Sequence, residues 1–172
     1  SNLVNYKFSE DLFKKVTLLP DGKNHGLVFI LDWSGSMATV MEDTVKQLYN
    51  LLWFCKKVQI PFEVYAFTSN FPRSYSPEGY RDANELYEPK DDLMAVDKYF
   101  SLMNLFTSKV RGRELEEQMF NIYRIVKSFR NYFANRIVPM GMGLSGTPLN
   151  ETVIALHQIL PQFQKQHKLE KV

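Results

Sequence analysis

Five apolar residues in a row, Leu27 to Leu31, run into Asp32 with no polar position between them. A strand with one face in water alternates apolar and polar residues. A run without alternation reads as a strand covered on both faces, as in the parallel sheets of α/β proteins. The next segments agree. Met41, Val45, Leu48, Leu52 and Cys55 are spaced 4, 3, 4, 3 and form one helical stripe, predicting a helix over about 39–57. Pro61 then precedes "FEVYAFTS", a second strand. Strand, helix and strand in about 40 residues make a βαβ unit, whose crossover should be right-handed.

The rest of the chain extends this pattern. "KKVTLLP" (14–20) reads as a short strand, and "DGKN" (21–24) as the turn of a hairpin into Leu27. Residues 70–112 are rich in turn residues and charge; within them "LMAVDKYFSLMNLF" (93–106) is apolar but has no clear period. Leu115, Met119, Ile122, Val126, Phe129 and Phe133 predict a long helix over about 114–134. A last helix should start near Pro148 and bury Leu149, Val153, Leu156 and Leu160, with Pro161 ending or kinking it. With 172 residues, 45% of them hydrophobic, residues 1–172 are expected to form one domain with a substantial core.

Charge and composition narrow the function. There are 21 basic and 19 acidic residues, so nothing electrostatic draws the chain to nucleic acid or to an acidic membrane. No apolar run approaches the roughly 20 residues that span a bilayer. The single cysteine, Cys55, rules out an internal disulfide framework and a cysteine zinc site. Residues 1–15 are polar and mixed in charge, so no signal peptide is expected and a cytoplasmic location is. The chain opens on Ser1-Asn2, as a fragment would.

The chemistry concentrates in "DWSGSM", residues 32–37. Asp32, Ser34 and Ser36 follow the carboxyl end of the apolar strand, where open α/β sheets place their ligands. One carboxylate and two hydroxyls are hard oxygen donors suited to Mg²⁺, Mn²⁺ or Ca²⁺. Gly35 lets the backbone bend between the serines, and Ser36 or Thr39 is placed to cap the helix that follows. The same residues also suit an ordinary capped turn, and spacing alone leaves both readings open.

As a set, "FILDWSGSM" resembles the first motif of the von Willebrand factor A (VWA) domain, where Asp-x-Ser-x-Ser begins a metal-ion-dependent adhesion site. "LSGTPLNETV" resembles the family's second motif and makes Thr147 the matching threonine, with Gly146 before it. The resemblance covers about 26–160. It implies a Rossmann-like α/β fold, with a mostly parallel central sheet flanked by helices. It also implies a cation held by Asp32, Ser34, Ser36 and Thr147 that recruits an Asp or Glu carboxylate from a protein partner. The "SGTPL" wording is most similar to the intracellular branch, the CobT and magnesium-chelatase subunits, and the lead-in is similar to CobT-like proteins of bacteriophages. That branch implies a non-catalytic subunit working with an AAA+ ATPase in a chelatase-like or remodelling complex, in the host cytoplasm if phage-encoded.

The chain also departs from the family. The third motif, an aspartate after another buried strand, has no match: beyond Thr147 the acidic residues are Glu151 and Glu170. One or more C-terminal strands are therefore expected to lie outside this chain, with an open sheet edge and a weakly bound ion. The 115 residues from Asp32 to Thr147 exceed a minimal domain of the family, so 70–112 is expected to be an insertion. Trp33 is large for a site rim and is expected to pack beneath it.

Two other functions compete. "GMGLSG" (141–146) matches the glycine pattern of dinucleotide-binding loops, which would make the protein a nucleotide-binding enzyme. It lacks the acidic partner about 20 residues on. Alternatively the site is vestigial and the protein structural. Ser34 and Ser36 have no histidine near them in sequence to activate a nucleophile. "KVRGR" (109–113) reads as a solvated basic face, the acidic residues of 82–97 as an exposed loop, Cys55 as inert packing and His157 as solvated.

Overall fold

β1 (Leu27–Asp32) lies parallel to β2 (Phe62–Thr68), and α1 (Met41–Val58) forms the connection between them. The structure, a computed structural model, describes residues 25–69, 74–76, 79–81, 99–130 and 138–172. Residues 14–24, where the strand and turn before β1 are expected, lie outside the described residues, as does the acidic stretch at 82–97. A hairpin of β3 (Ser74–Ser76) and β4 (Gly79–Arg81) forms a separate two-stranded sheet. β5 (Ser101–Thr107) pairs antiparallel with β2, giving the main sheet the order β1-β2-β5. Two long helices complete the chain, α2 (Gly112–Ser128) and α3 (Leu149–His167). The fold is mixed α/β, and among the described residues the main sheet has one parallel and one antiparallel pairing.

β5 falls within 70–112, the segment expected to be an insertion. Its residues 101–107 belong to the main sheet. The segment has no clear period because a bulge interrupts it: Asn104 pairs with Tyr65 and Phe106 with Val64, which leaves Leu105 extra. Two adjacent residues, Leu105 and Phe106, are both buried as a result. Alternation cannot survive that.

The core lies between one sheet face and the pair α1 and α2. All five stripe residues of α1, Met41, Val45, Leu48, Leu52 and Cys55, are buried, as are Leu115, Met119, Ile122 and Val126 of α2. They meet Phe62, Val64 and Ala66 of β2 and Leu31 of β1. Phe129 packs against this cluster just past the end of α2, while Phe133 and the rest of the expected helix lie outside the described residues. α1 carries Glu42 and Asp43 in its first turn and Lys56 and Lys57 in its last, matching its dipole. β1 is less covered than its sequence suggests. Only Leu31 is buried, and Leu27 is 38% exposed. Among the described residues β1 is an edge strand, touched on its free side only by single bridges, His25 to Lys171 and Ser34 to Ser145.

On β2, Glu63, Tyr65 and Phe67 alternate to the opposite face, and Glu63 is near enough to act on the charge of His167 at the end of α3. On α3 the expected buried stripe fails. Leu149 and Val153 are about half exposed, and the buried residues of α3 are Thr152 and Phe163. The helix is rotated onto a face through Thr152, Leu156, Ile159 and Phe163, which is possible because the Thr152 hydroxyl is satisfied by the Pro148 carbonyl at 2.9 Å. Pro161 does not end the helix, which continues to His167. Tertiary packing holds that last turn: Phe163 and Leu169 sit so close to Gly26 that any side chain there would collide with both. No helix among the described residues is long and apolar enough to cross a membrane.

His167 makes this docking pH-sensitive. Its Nε2 is buried without a hydrogen-bond partner. Burial, then the charge of Lys109, lowers its pKa below the ordinary 6.5, and Glu63 partly opposes them. The folded state thus disfavours a proton that the unfolded chain accepts below about pH 6.5, so stability is full above that value and falls as the pH drops through it. Melting curves at about pH 8 and about pH 5.5 should show a loss that His167→Phe reduces. An unchanged loss in the variant would assign the effect elsewhere.

Candidate metal-ion site

The strand ends of β1 and β2 build the site. Trp33 N–H donates to the Phe67 carbonyl at 3.0 Å, continuing the ladder one residue past β1. The chain then turns, and the turn is tied by Asp32, whose Oδ1 accepts the Ser34 N–H at 2.9 Å. The hydroxyls of Ser34 and Ser36 are 3.0 Å apart and share a hydrogen bond. Ser34 is 2% exposed, whereas Ser36 is open to solvent. The expected cap is absent. A 3-10 turn, Gly35–Thr39, carries the chain onward so that Val40 becomes the N-cap of α1, and neither Ser36 nor Thr39 reaches it.

The second motif arrives beside the first. Gly35 N–H donates to the Ser145 carbonyl at 2.8 Å, Ser145 N–H reaches the Trp33 carbonyl at 3.4 Å, and Ser34 and Ser145 form a parallel bridge. Gly146 N–H donates to Ser69 Oγ at 3.0 Å. A Cβ on Gly146 would run into that same oxygen, so any other residue would displace the Ser69 hydroxyl that holds the loop. Thr147 follows immediately, exposed, and its carbonyl accepts the Leu149 N–H at 2.9 Å. Asp32, Ser34, Ser36 and Thr147 are thus carried by two loops hydrogen-bonded to each other.

Trp33 packs underneath, as expected. It is fully buried, its Nε1 donates to the Met142 carbonyl at 2.8 Å, and its ring meets Phe129 edge-on at 5.7 Å. It clamps the glycine-rich loop from below while Ser69 holds it from the side.

Sequence reasoning missed Thr68 and Ser69. Thr68 is fully buried and its Oγ1 has no hydrogen-bond partner among the described residues. The signal was available. β2 runs parallel to β1 and ends at the same edge, so the polar pair closing "FEVYAFTS" belongs at the site by the same argument as Asp32.

Chemically, the site offers one carboxylate and several hydroxyls. No group of three or more His, Cys, Asp or Glu able to hold a metal occurs among the described residues. Any cation here would depend on hydroxyl and water oxygens, which fits Mg²⁺ or Mn²⁺ better than a soft metal. The dinucleotide reading fares worse. No strand precedes "GMGLSG" among the described residues, and Gly146 N–H is already committed to Ser69. Burial pushes the Cys55 thiol up to about 11, so it is unreactive. Lys109 and Arg113 of the basic cluster face Glu63 and Glu117 at 3.9 and 3.4 Å, and His157 is exposed.

No family model, curated protein or solved structure matches the chain.

Proposed function

We propose that the protein is a VWA-like, divalent-cation-dependent protein-interaction module without catalytic chemistry of its own. Asp32 anchors the ion by charge, Ser34 and Ser36 coordinate through hydroxyls, and Thr147 closes the far side. Gly35 and Gly146 permit the two turns, and Trp33 supports them. The ion, Mg²⁺, Mn²⁺ or Ca²⁺, is left short of negative charge by this donor set and attracts an Asp or Glu carboxylate from a protein partner. The likeness to chelatase subunits carries the further proposal that an AAA+ ATPase supplies that partner, the complex acting as a chelatase-like or remodelling machine.

The observation that carries this reading is the hydrogen-bonded seam between Gly35 and Ser145. It joins two motifs far apart in sequence, both rich in oxygen donors, at the carboxyl edge of the sheet. The buried hydroxyl of Thr68 adds an unmet polar atom at the same edge.

A thermal melt with and without about 5 mM Mg²⁺ or Mn²⁺ tests it. For a dissociation constant of about 0.5 mM the ion adds about 1.4 kcal/mol, which raises the melting temperature by roughly 3–5 °C in a domain of this size. Asp32→Ala should abolish the rise. Indifference of both proteins to the ions would remove the basis for the module and leave a structural protein with a vestigial site.

A further inference from the structure

A cavity of about 460 Å³ opens between α2, β5 and the glycine-rich loop, within the range of small-molecule sites. Its apolar wall is formed by Leu105 of β5, Ile122 and Ile125 of α2, and Met142 of the loop. Its polar wall is one side of α2: Gln118, Asn121 and Arg124. Among the described residues Arg124 is the one charged residue of the lining, so the cavity favours an anion. Its guanidinium is propped over the Phe120 ring, 5.8 Å from the ring centre. Gln118 Nε2 donates to Glu114 at 3.4 Å, while its Oε1 is enclosed without a partner. A soft rotation of the terminal amide would offer that acceptor to an occupant.

We propose that this cavity binds a small apolar carboxylate bearing a neighbouring N–H group. An N-acylated apolar amino acid has this chemistry, and so does the apolar C-terminal residue of a peptide. The carboxylate pairs with Arg124, the N–H meets the Gln118 carbonyl oxygen, Asn121 supplies a further donor, and the side chain lies against Ile122, Ile125 and Met142. The proposal stands apart from the cation reading. It does touch the same loop, because the Met142 carbonyl also accepts the Trp33 indole N–H.

That hydrogen bond supplies the readout. The chain has two tryptophans, Trp33 and Trp53, and Trp53 does not line the cavity. N-acetyl-L-leucine is titrated while both indole N–H resonances are followed by NMR, with Trp53→Phe assigning them. The expected result is a saturable millimolar shift of the Trp33 signal and a stationary Trp53 signal. N-acetyl-L-leucinamide, which lacks the charge, and Arg124→Gln should each weaken binding about tenfold, and the two together no more than either alone. Acetyl-Ala-Ala-Leu binding more tightly than N-acetyl-leucine would identify a peptide end as the natural ligand; weaker binding would identify a free amino-acid derivative. Arg124 is exposed, so its replacement leaves the fold intact. No Trp33 shift up to about 20 mM ligand, equal shifts at both tryptophans, or full binding of the amide would overturn the proposal.

Discussion

Trp33→Ala will destabilise the domain by about 3–5 kcal/mol, a fall in melting temperature of roughly 10 °C or more at this size. Three losses combine. The ring is fully buried in the core cluster, so its removal leaves a void beside Phe129 that close-packed neighbours cannot fill. The edge-on contact with Phe129 disappears. The Met142 carbonyl loses the indole donor that pins the glycine-rich loop. Trp33→Phe separates these causes, since it keeps a ring and removes only the donor and some volume; it should cost about 1–2 kcal/mol. Denaturant unfolding of the three proteins gives the comparison. A loss below about 1 kcal/mol for Trp33→Ala would mean that the loop is held by its backbone bonds to Gly35 and Ser69 alone.

That residue also shows what was legible beforehand. Trp33 was expected beneath the site because a large ring cannot sit on the rim of a small oxygen cage, an argument from size alone. The α1 stripe was readable in full because every member faces one partner surface. α3 was not. Its apolar residues occupy several faces, and the choice among them was made by Phe163 and Leu169 docking on Gly26, a contact between residues 137 and 143 positions apart. β5 was hidden by its bulge, which buries two neighbours and erases the period that marks a strand. At the site, the first loop was found because it follows an unmistakable strand. Thr68 and Ser69 were passed over because a Thr-Ser pair reads as generic turn material until the parallel register places it beside Asp32.

Glu63→Ala should have the second largest effect, about 2–4 kcal/mol. Glu63 is 7% exposed on the central strand β2, a position that a carboxylate occupies only if its oxygens are satisfied. They are: Asn104 Nδ2 and Thr107 Oγ1 both donate to it, the latter at 3.1 Å, and Lys109 Nζ lies 3.9 Å away. Truncation takes the acceptor from the half-buried Thr107 hydroxyl, whereas the exposed Asn104 amide can turn to water. Lys109 is 43% exposed and can turn to water, so little of the cost comes from the ion pair itself. Glu63→Gln, which keeps the shape and one acceptor, should cost clearly less than Glu63→Ala. Equal losses would point to charge rather than to the hydrogen bonds. Glu63 pairs with Val28 and Phe67 with Asp32, four positions further along β2, which is about 13 Å. At that distance the two sites should act independently. Glu63→Ala should therefore lower the melting temperature with and without Mg²⁺ by the same amount and leave the ion-induced rise intact. If the rise disappears with Glu63, the cation acts through the stability of the whole sheet rather than through the loops that carry Asp32 and Thr147.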